Sequence, residues 1–300
     1  MVMIVKRKAI KKLTGDSILS SVNGFLLLLV AFIMLLPLLN VLSVSLSSPF
    51  AVDRNQVFLY PVGVTLASWR FVFGLNELWV SAALNVFVTV VGTAIALVVN
   101  TLMAYPLSKK HFPLSKILLY GVVISMIFRA PVIPYFLTLR NIGLIDNIWV
   151  LILPHVFAAY NLIIMVTFFR QFPVDLEESA IIDGCGYFRL LGQIIVPCSK
   201  AVIGTLALFY AVTIWNQFSH PLMFITSSNL FPLQLRIRQF ISAGSAELMG
   251  LFSANLALRE FNNETIKATV VLFSFIPIAC VYPFIQKHFV KGAMLGSVKG

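Results

Sequence analysis

The apolar residues of this chain come in long runs, not in the alternation expected of strands. Phe25 to Leu39 and Val86 to Val99 carry no charged residue, and six predominantly apolar runs cover approximately 20–46, 78–106, 116–139, 147–169, 200–226 and 265–286. Crossing a hydrocarbon core about 30 Å thick takes roughly 20 residues of helix, and each run is about that long. Only helices and closed barrels satisfy their backbone in lipid, and barrel strands would show short segments with polar residues at every second position. The pattern therefore predicts an all-α integral membrane protein with six transmembrane helices.

Between the fourth and fifth runs lies a polar interruption, 171–200, with a pattern of its own. Pro173 suits the first turn of a helix, Asp175, Glu177 and Glu178 put negative charge at its positive end, and Gly184 supplies the left-handed residue that stops it. Tyr187, Phe188, Leu190, Leu191, Ile194 and Ile195 then give a second amphipathic stretch, which Pro197 prevents from continuing. The two stretches predict a helix-turn-helix outside the bilayer with an apolar face that something must cover. Periodicity alone leaves two covers open: lipid headgroups, or another protein.

Composition agrees with the pattern. The 300 residues are 59% hydrophobic and 11% charged, with a mean hydropathy of +0.95, too apolar for a water-soluble domain. Lys6, Arg7, Lys8, Lys11 and Lys12, then Lys109, Lys110 and Lys116, then Arg170, Arg189 and Lys200, then Lys287, Lys291 and Lys299 fall on one side of the predicted spans. Cationic loops stay in the cytoplasm, so both termini are expected there. The net charge of +11 is dispersed between spans, which reads as topogenic charge meeting anionic headgroups and not as a nucleic-acid surface. The first run is longer than the 7–15 residues usual for a cleavable signal and is expected to persist as a helix. Residues 1–19 are read as a cytoplasmic N-terminal segment, 20–286 as one transmembrane domain, and 287–300 as a cytoplasmic tail. The segment from Ser227 to Glu264 is the longest outer stretch, either a lid or a dock for a soluble partner.

Candidate chemistry is sparse. No Gly-x-x-x-x-Gly-Lys-Ser/Thr cradle occurs, so nucleotide hydrolysis is not expected in this chain. Cys185, Cys198 and Cys280 have no metal-site spacing, and His111, His155, His220 and His288 are dispersed along the chain. No catalytic, cofactor or metal site is predicted. Asp and Glu are absent from the interiors of the six runs, which argues against a proton- or sodium-driven carrier.

The polar interruption also carries a motif. Glu178-Ser179-Ala180, then Gly184, then nine residues on Ile194-x-Val196-Pro197, resembles the Glu-Ala-Ala loop of bacterial ABC-importer permeases. Ser179 stands for the usual Ala and Val196 for the usual Leu. Gly143-Leu144-Ile145-Asp146 leading to Leu151-Ile152-Leu153-Pro154, the pair Trp215-Asn216, and the ending from Lys291 to Gly300 resemble the carbohydrate branch of that family. Within that branch the chain is similar to permeases for complex or acidic oligosaccharides such as alginate or pectin fragments. The resemblance implies the type I (MetI-like) permease fold, with its core at about 78–286 and a coupling hairpin at 171–200. It also implies a heteromer with a second permease, two ATPase subunits that hold ATP and Mg, and an extracytoplasmic solute-binding protein, in a bacterial inner membrane. By the same resemblance Glu178, Ser179, Ala180, Asp183, Gly184, Ile194 and Pro197 would engage the ATPase.

Substrate residues are expected along the spans. Arg129 sits within the third run, where relatives commonly carry Ser-Gly-Gly, beside Pro131 and Pro134, which should break local helix hydrogen bonds as is tolerated where backbone lines a cavity. A membrane-buried Arg faces protein, water or an anion, so it either meets substrate carboxylates or snorkels and pairs with a partner's acid. Tyr160, Asn161, Trp215 and Asn216 outline a sugar route. Asn85, Thr89 and Thr93, four residues apart on one face of the second run, serve either that route or helix packing.

Overall fold

The computed structural model describes residues 15–128, 130–242 and 261–295. Every regular element among them is helical. In chain order the main helices are α1 Gly15–Ser45, α2 Asn76–Ser108, α3 Ser115–Ile127, α4 Val132–Asn141, α5 Ala159–Phe169, α6 Val174–Ile182, α7 Tyr187–Cys198, α8 Lys200–Trp215, α9 Leu233–Ser242 and α10 Asn263–Leu295. The described residues divide into two compact units, one within 1–71 and 250–272, the other within 72–249 and 273–300.

The first unit is built on α1. From Leu19 to Leu39 nearly every side chain of α1 is exposed, as expected of a helix whose solvent is lipid. Past its end, Ser48 caps the short helix Pro49–Asp53, accepting from the Ala51 amide at 3.4 Å, and its own amide donates to Val62 at 3.0 Å. Asn262 Nδ2 donates to Asp53 Oδ1 at 2.7 Å, and the Phe71 and Phe261 rings lie 4.9 Å apart.

The second unit is organised around α2, whose 33 residues extend about 50 Å at 1.5 Å per residue. Its inward face holds Ser81, Asn85, Val88, Gly92, Ala96, Asn100 and Ala104. This is the spacing of small and polar residues that lets membrane helices approach closely. α5 and α8 pack against it. A Cβ on Gly92 would lie 2.9 Å from Cδ1 of Ile214, the far end of a side chain on α8. One core cluster gathers Ala104, Leu162, Met165, Phe169, Leu190, Ile195 and Leu206, and a second gathers Val88, Val150, Leu151, Ile152, Ile214 and Phe224.

Three helices, α1, α2 and the Asn263–Cys280 part of α10, are long and apolar enough to cross a bilayer alone, and three bent pairs bring the total to six. The third run is two helices, α3 and α4, with Pro131 at the start of the second. The fourth bends by 44° between Ile148–Val156 and α5, and α7 meets α8 at 85°. The fifth run, expected at 200–226, stops as a helix at Trp215. Asn216 Nδ2 turns back to the Val212 carbonyl at 2.9 Å, and a short helix Ser219–Phe224 follows. Arg129 lies outside the described residues.

Candidate functional site: a capped hairpin and the polar seam beside it

The segment read as a hairpin is one. α6 begins after Pro173 and ends in a Schellman arrangement: the Cys185 amide donates to the Ala180 carbonyl and the Gly184 amide to that of Ile181, each at 2.9 Å. Gly184 closes the turn at φ +82°, a conformation that costs L-residues with a Cβ. α7 starts at Gly186 and contains a π-turn over Leu191–Ile195 before it ends at Cys198, one residue beyond Pro197.

The hairpin has two faces. Ala180, Leu190, Leu191 and Ile195 are buried in the cluster formed with α2, α5 and α8, and Ile194 packs partly against it. Glu178, Ser179, Asp183 and Pro197 are exposed. So are Ile182 and Phe188, each 85% exposed, and Tyr187 at 69%. Apolar side chains held this far out on a capped turn are a contact surface. The Ser179 hydroxyl donates back to Leu176 at 3.2 Å, so its outer lone pairs stay available.

One residue central to this geometry was passed over in the sequence, where it counted only as a first-turn acid. Glu177, not Glu178, is the buried carboxylate, and it forms an ion pair with Lys109, the residue that ends α2. The Lys109 ammonium also lies 4.5 Å from the Tyr105 ring centroid. Glu177 thus ties the hairpin to the end of the longest helix in the unit, and Glu178 beside it faces outward. The signal was present in sequence only as adjacent acids, which do not reveal the one facing inward.

Along α2 runs a polar seam. Asn85 Nδ2 donates to the Trp215 carbonyl at 3.3 Å and Asn100 Nδ2 to the Tyr210 hydroxyl at 2.7 Å. Asn85 therefore packs helices together, one of the two roles the spacing allowed. Yet Asn85 Oδ1, Thr89 Oγ1, Thr93 Oγ1, Trp215 Nε1 and Gln217 Oε1 are buried without a hydrogen-bond partner among the described residues. An interface built solely for packing pairs its polar atoms. Asn161 and Trp215 are buried, while Tyr160 and Asn216 are exposed.

Two histidines far apart in sequence meet in the fold. The His155 and His220 rings are 5.5 Å apart, and His220 Nε2 lies 2.6 Å from the Tyr135 hydroxyl. Their 65-residue separation hid this pairing. No group of three His, Cys, Asp or Glu among the described residues has metal-binding geometry.

Two further anchors fix the connecting loops. Asp146, at φ +54°, accepts from the Thr226 and Ser227 amides at 3.0 and 2.8 Å and from the Ser227 hydroxyl. The Ser227 hydroxyl first, then these amides, hold its carboxyl down to about 2. Arg236, almost fully buried, pairs with Glu77 at 3.2 Å and donates to Ser81, Gln239 and Ser228, which locks α9 to the start of α2.

Comparison with known proteins places this architecture. Residues 80–294 match the family described as "Binding-protein-dependent transport system inner membrane component". The chain is 39% identical to the polygalacturonan/rhamnogalacturonan transport system permease protein YtcP of Bacillus subtilis, over 93% of this chain and 97% of that one. It is 41% identical to protein LplC of the same organism, over 90% and 91%. A bacterial ABC transporter involved in the import of the acidic polysaccharide alginate has a chain that superposes with a TM-score of 0.85. That chain is 30% identical, with 91% of this chain and 97% of that one covered.

Proposed function

The chain belongs to the family of binding-protein-dependent transport system inner membrane components, and from that membership we propose that it is the permease subunit of an ABC importer for oligosaccharides of the acidic, alginate or pectin type. Uptake is driven by ATP hydrolysis in a partner subunit, whose docking site is the hairpin α6–α7. The observation that carries the reading is the hairpin itself: a Schellman-capped turn that presents Ile182 and Phe188 outward and is tied underneath to α2. With α6–α7 and both termini at the cytoplasmic face, segments 1–19 and 287–300 border that side, and an extracytoplasmic binding protein delivers sugar opposite. Glu178, Ser179, Asp183 and Pro197 contact the ATPase. Ala180, Ile194 and Gly184 keep the turn in shape.

The route follows the polar seam. Trp215, Asn216, Tyr160 and Asn161 line it, and the unpaired atoms of Asn85, Thr89, Thr93 and Trp215 meet sugar hydroxyls when α2 and α8 part. Directional transport needs sugar affinity to differ between the outward and inward states, and such a seam changes its hydrogen bonding as the helices move. Arg129 supplies the cation for uronate carboxylates. Support for acidic cargo comes from the pectin-type and alginate relatives. The test is uptake of oligogalacturonate, oligoalginate and neutral oligosaccharides by the assembled importer, with and without Arg129→Met. Selective loss of the acidic sugars is expected, and equal losses for all would remove charge recognition.

A further inference from the structure

Beside the hairpin, on the side toward the membrane helices, lies a cavity of about 1370 Å³ whose cations the coupling role does not use. It is built by the end of α2 with the loop that follows, the start of α3, the end of α5, and one flank of α6–α7. Lys110, Lys116 and Arg170 line it and are exposed, and none of the three has an ion-pair partner among the described residues. Lys109 lines it too but is committed to Glu177, so Glu178 is the only acid left opposing three free cations. The remaining wall is apolar, with Leu102, Phe112, Val174 and Tyr187. Three cations over apolar and aromatic side chains, at the level where a spanning helix ends, fit a ligand that is anionic at one end and hydrocarbon at the other.

We infer that this cavity binds an anionic phospholipid, with its phosphate among Lys110, Lys116 and Arg170 and its glycerol and upper chains against Leu102, Phe112 and Tyr187. The inference rests on the inner-face placement of the hairpin given above. Charge selects this occupant. A zwitterionic headgroup would leave the cations uncompensated, and a soluble anion would leave the apolar wall wet. The lipid would sit between α6–α7 and the ends of α2 and α5, and would therefore brace the hairpin at the angle the ATPase meets.

The test uses the complete importer in vesicles of phosphatidylcholine, alone or mixed with phosphatidylglycerol, with a photoreactive phosphatidylglycerol as probe. Cross-links are expected in 102–116 and 170–188. The triple variant K110Q/K116Q/R170Q is expected to lower them on the order of 100-fold, from a factor of roughly five per cation. The variant is also expected to lose any gain in transport that phosphatidylglycerol gives, while it still copurifies with the ATPase subunits. Copurification separates failure of the lipid site from failure of the hairpin reading. Undiminished cross-linking in the triple variant, or labelling no denser there than along α1, overturns the inference. So does full competition by soluble glycerol phosphate, which would mean a free anion, or cross-links from positions 110, 116 and 170 to the ATPase in place of lipid.

Discussion

Breaking the Lys109–Glu177 pair should have unequal consequences depending on which partner is removed. The Glu177 side chain is 11% exposed and that of Lys109 28%. Lys109→Met leaves a largely enclosed carboxylate without its cation, at a cost of about 2–3 kcal/mol, below the ~3–5 kcal/mol seen for fully buried pairs. Glu177→Gln leaves an ammonium that still reaches water along its stem and keeps the Tyr105 ring 4.5 Å away, so about 1 kcal/mol is expected. Because the pair joins α6 to the end of α2, the loss should appear as local opening of the hairpin. Hydrogen exchange of amides 176–186 in the purified permease reads it directly. Lys109→Met should speed exchange roughly 30–150-fold and Glu177→Gln by less than about tenfold. The double variant should fall short of the sum, because both single changes remove one interaction. Equal effects of the two single variants, or exchange unchanged in both, would refute the anchoring argument.

Gly184 offers a separation of folding from coupling. Nothing lies within 4 Å of a Cβ placed there, so Gly184→Ala costs only the left-handed backbone, about 1–2 kcal/mol, and Asn less. Gly184→Asp should remain in the membrane yet hydrolyse ATP without importing sugar, measured as the ratio of phosphate released to sugar taken up. Asp146 holds a carboxyl pKa of about 2 against roughly 3.9 in the unfolded chain. Its contribution is therefore present above that unfolded value and is lost as pH falls through 2. The acceleration of exchange at the Thr226 and Ser227 amides in Asp146→Ala should be constant between pH 5 and 8 and should vanish as pH falls through about 2. Gly92→Ala meets only the mobile end of Ile214 and should cost below about 1.5 kcal/mol. Gly92→Leu should instead part α2 from α8 and lower the melting temperature in detergent by several times as much.

Sequence made the helices and the hairpin legible for different reasons. Apolar runs of about 20 residues admit few structures other than spans, and Pro173, the first-turn acids and Gly184 mark the hairpin's start and turn through local backbone chemistry. The break inside the third run was legible in Pro131, which begins α4, whereas the bend in the fourth falls at Phe157–Ala158, where no Pro or Gly marks it and hydropathy counts residues and not hydrogen bonds. What the sequence concealed is what depends on partners distant in the chain. Glu177 rather than Glu178 turns inward because Lys109 is there, 68 residues away. Asn100 finds Tyr210 across 110 residues, and His155 meets His220 through the packing of two short helices. The hairpin's outward residues were recognisable by motif, whereas Ile182 and Phe188, its most exposed apolar side chains, stand out only once the turn is built.

The most direct measurement is cross-linking from the hairpin tip in the working importer. With Cys185, Cys198 and Cys280 replaced by Ser, a single cysteine at Ile182 or Phe188 would be joined to cysteines scanned over the ATPase subunit, with and without ATP. The account predicts efficient bonding to one ATPase surface, with a yield that changes between the two nucleotide conditions. Contact with lipid alone in every condition would contradict it.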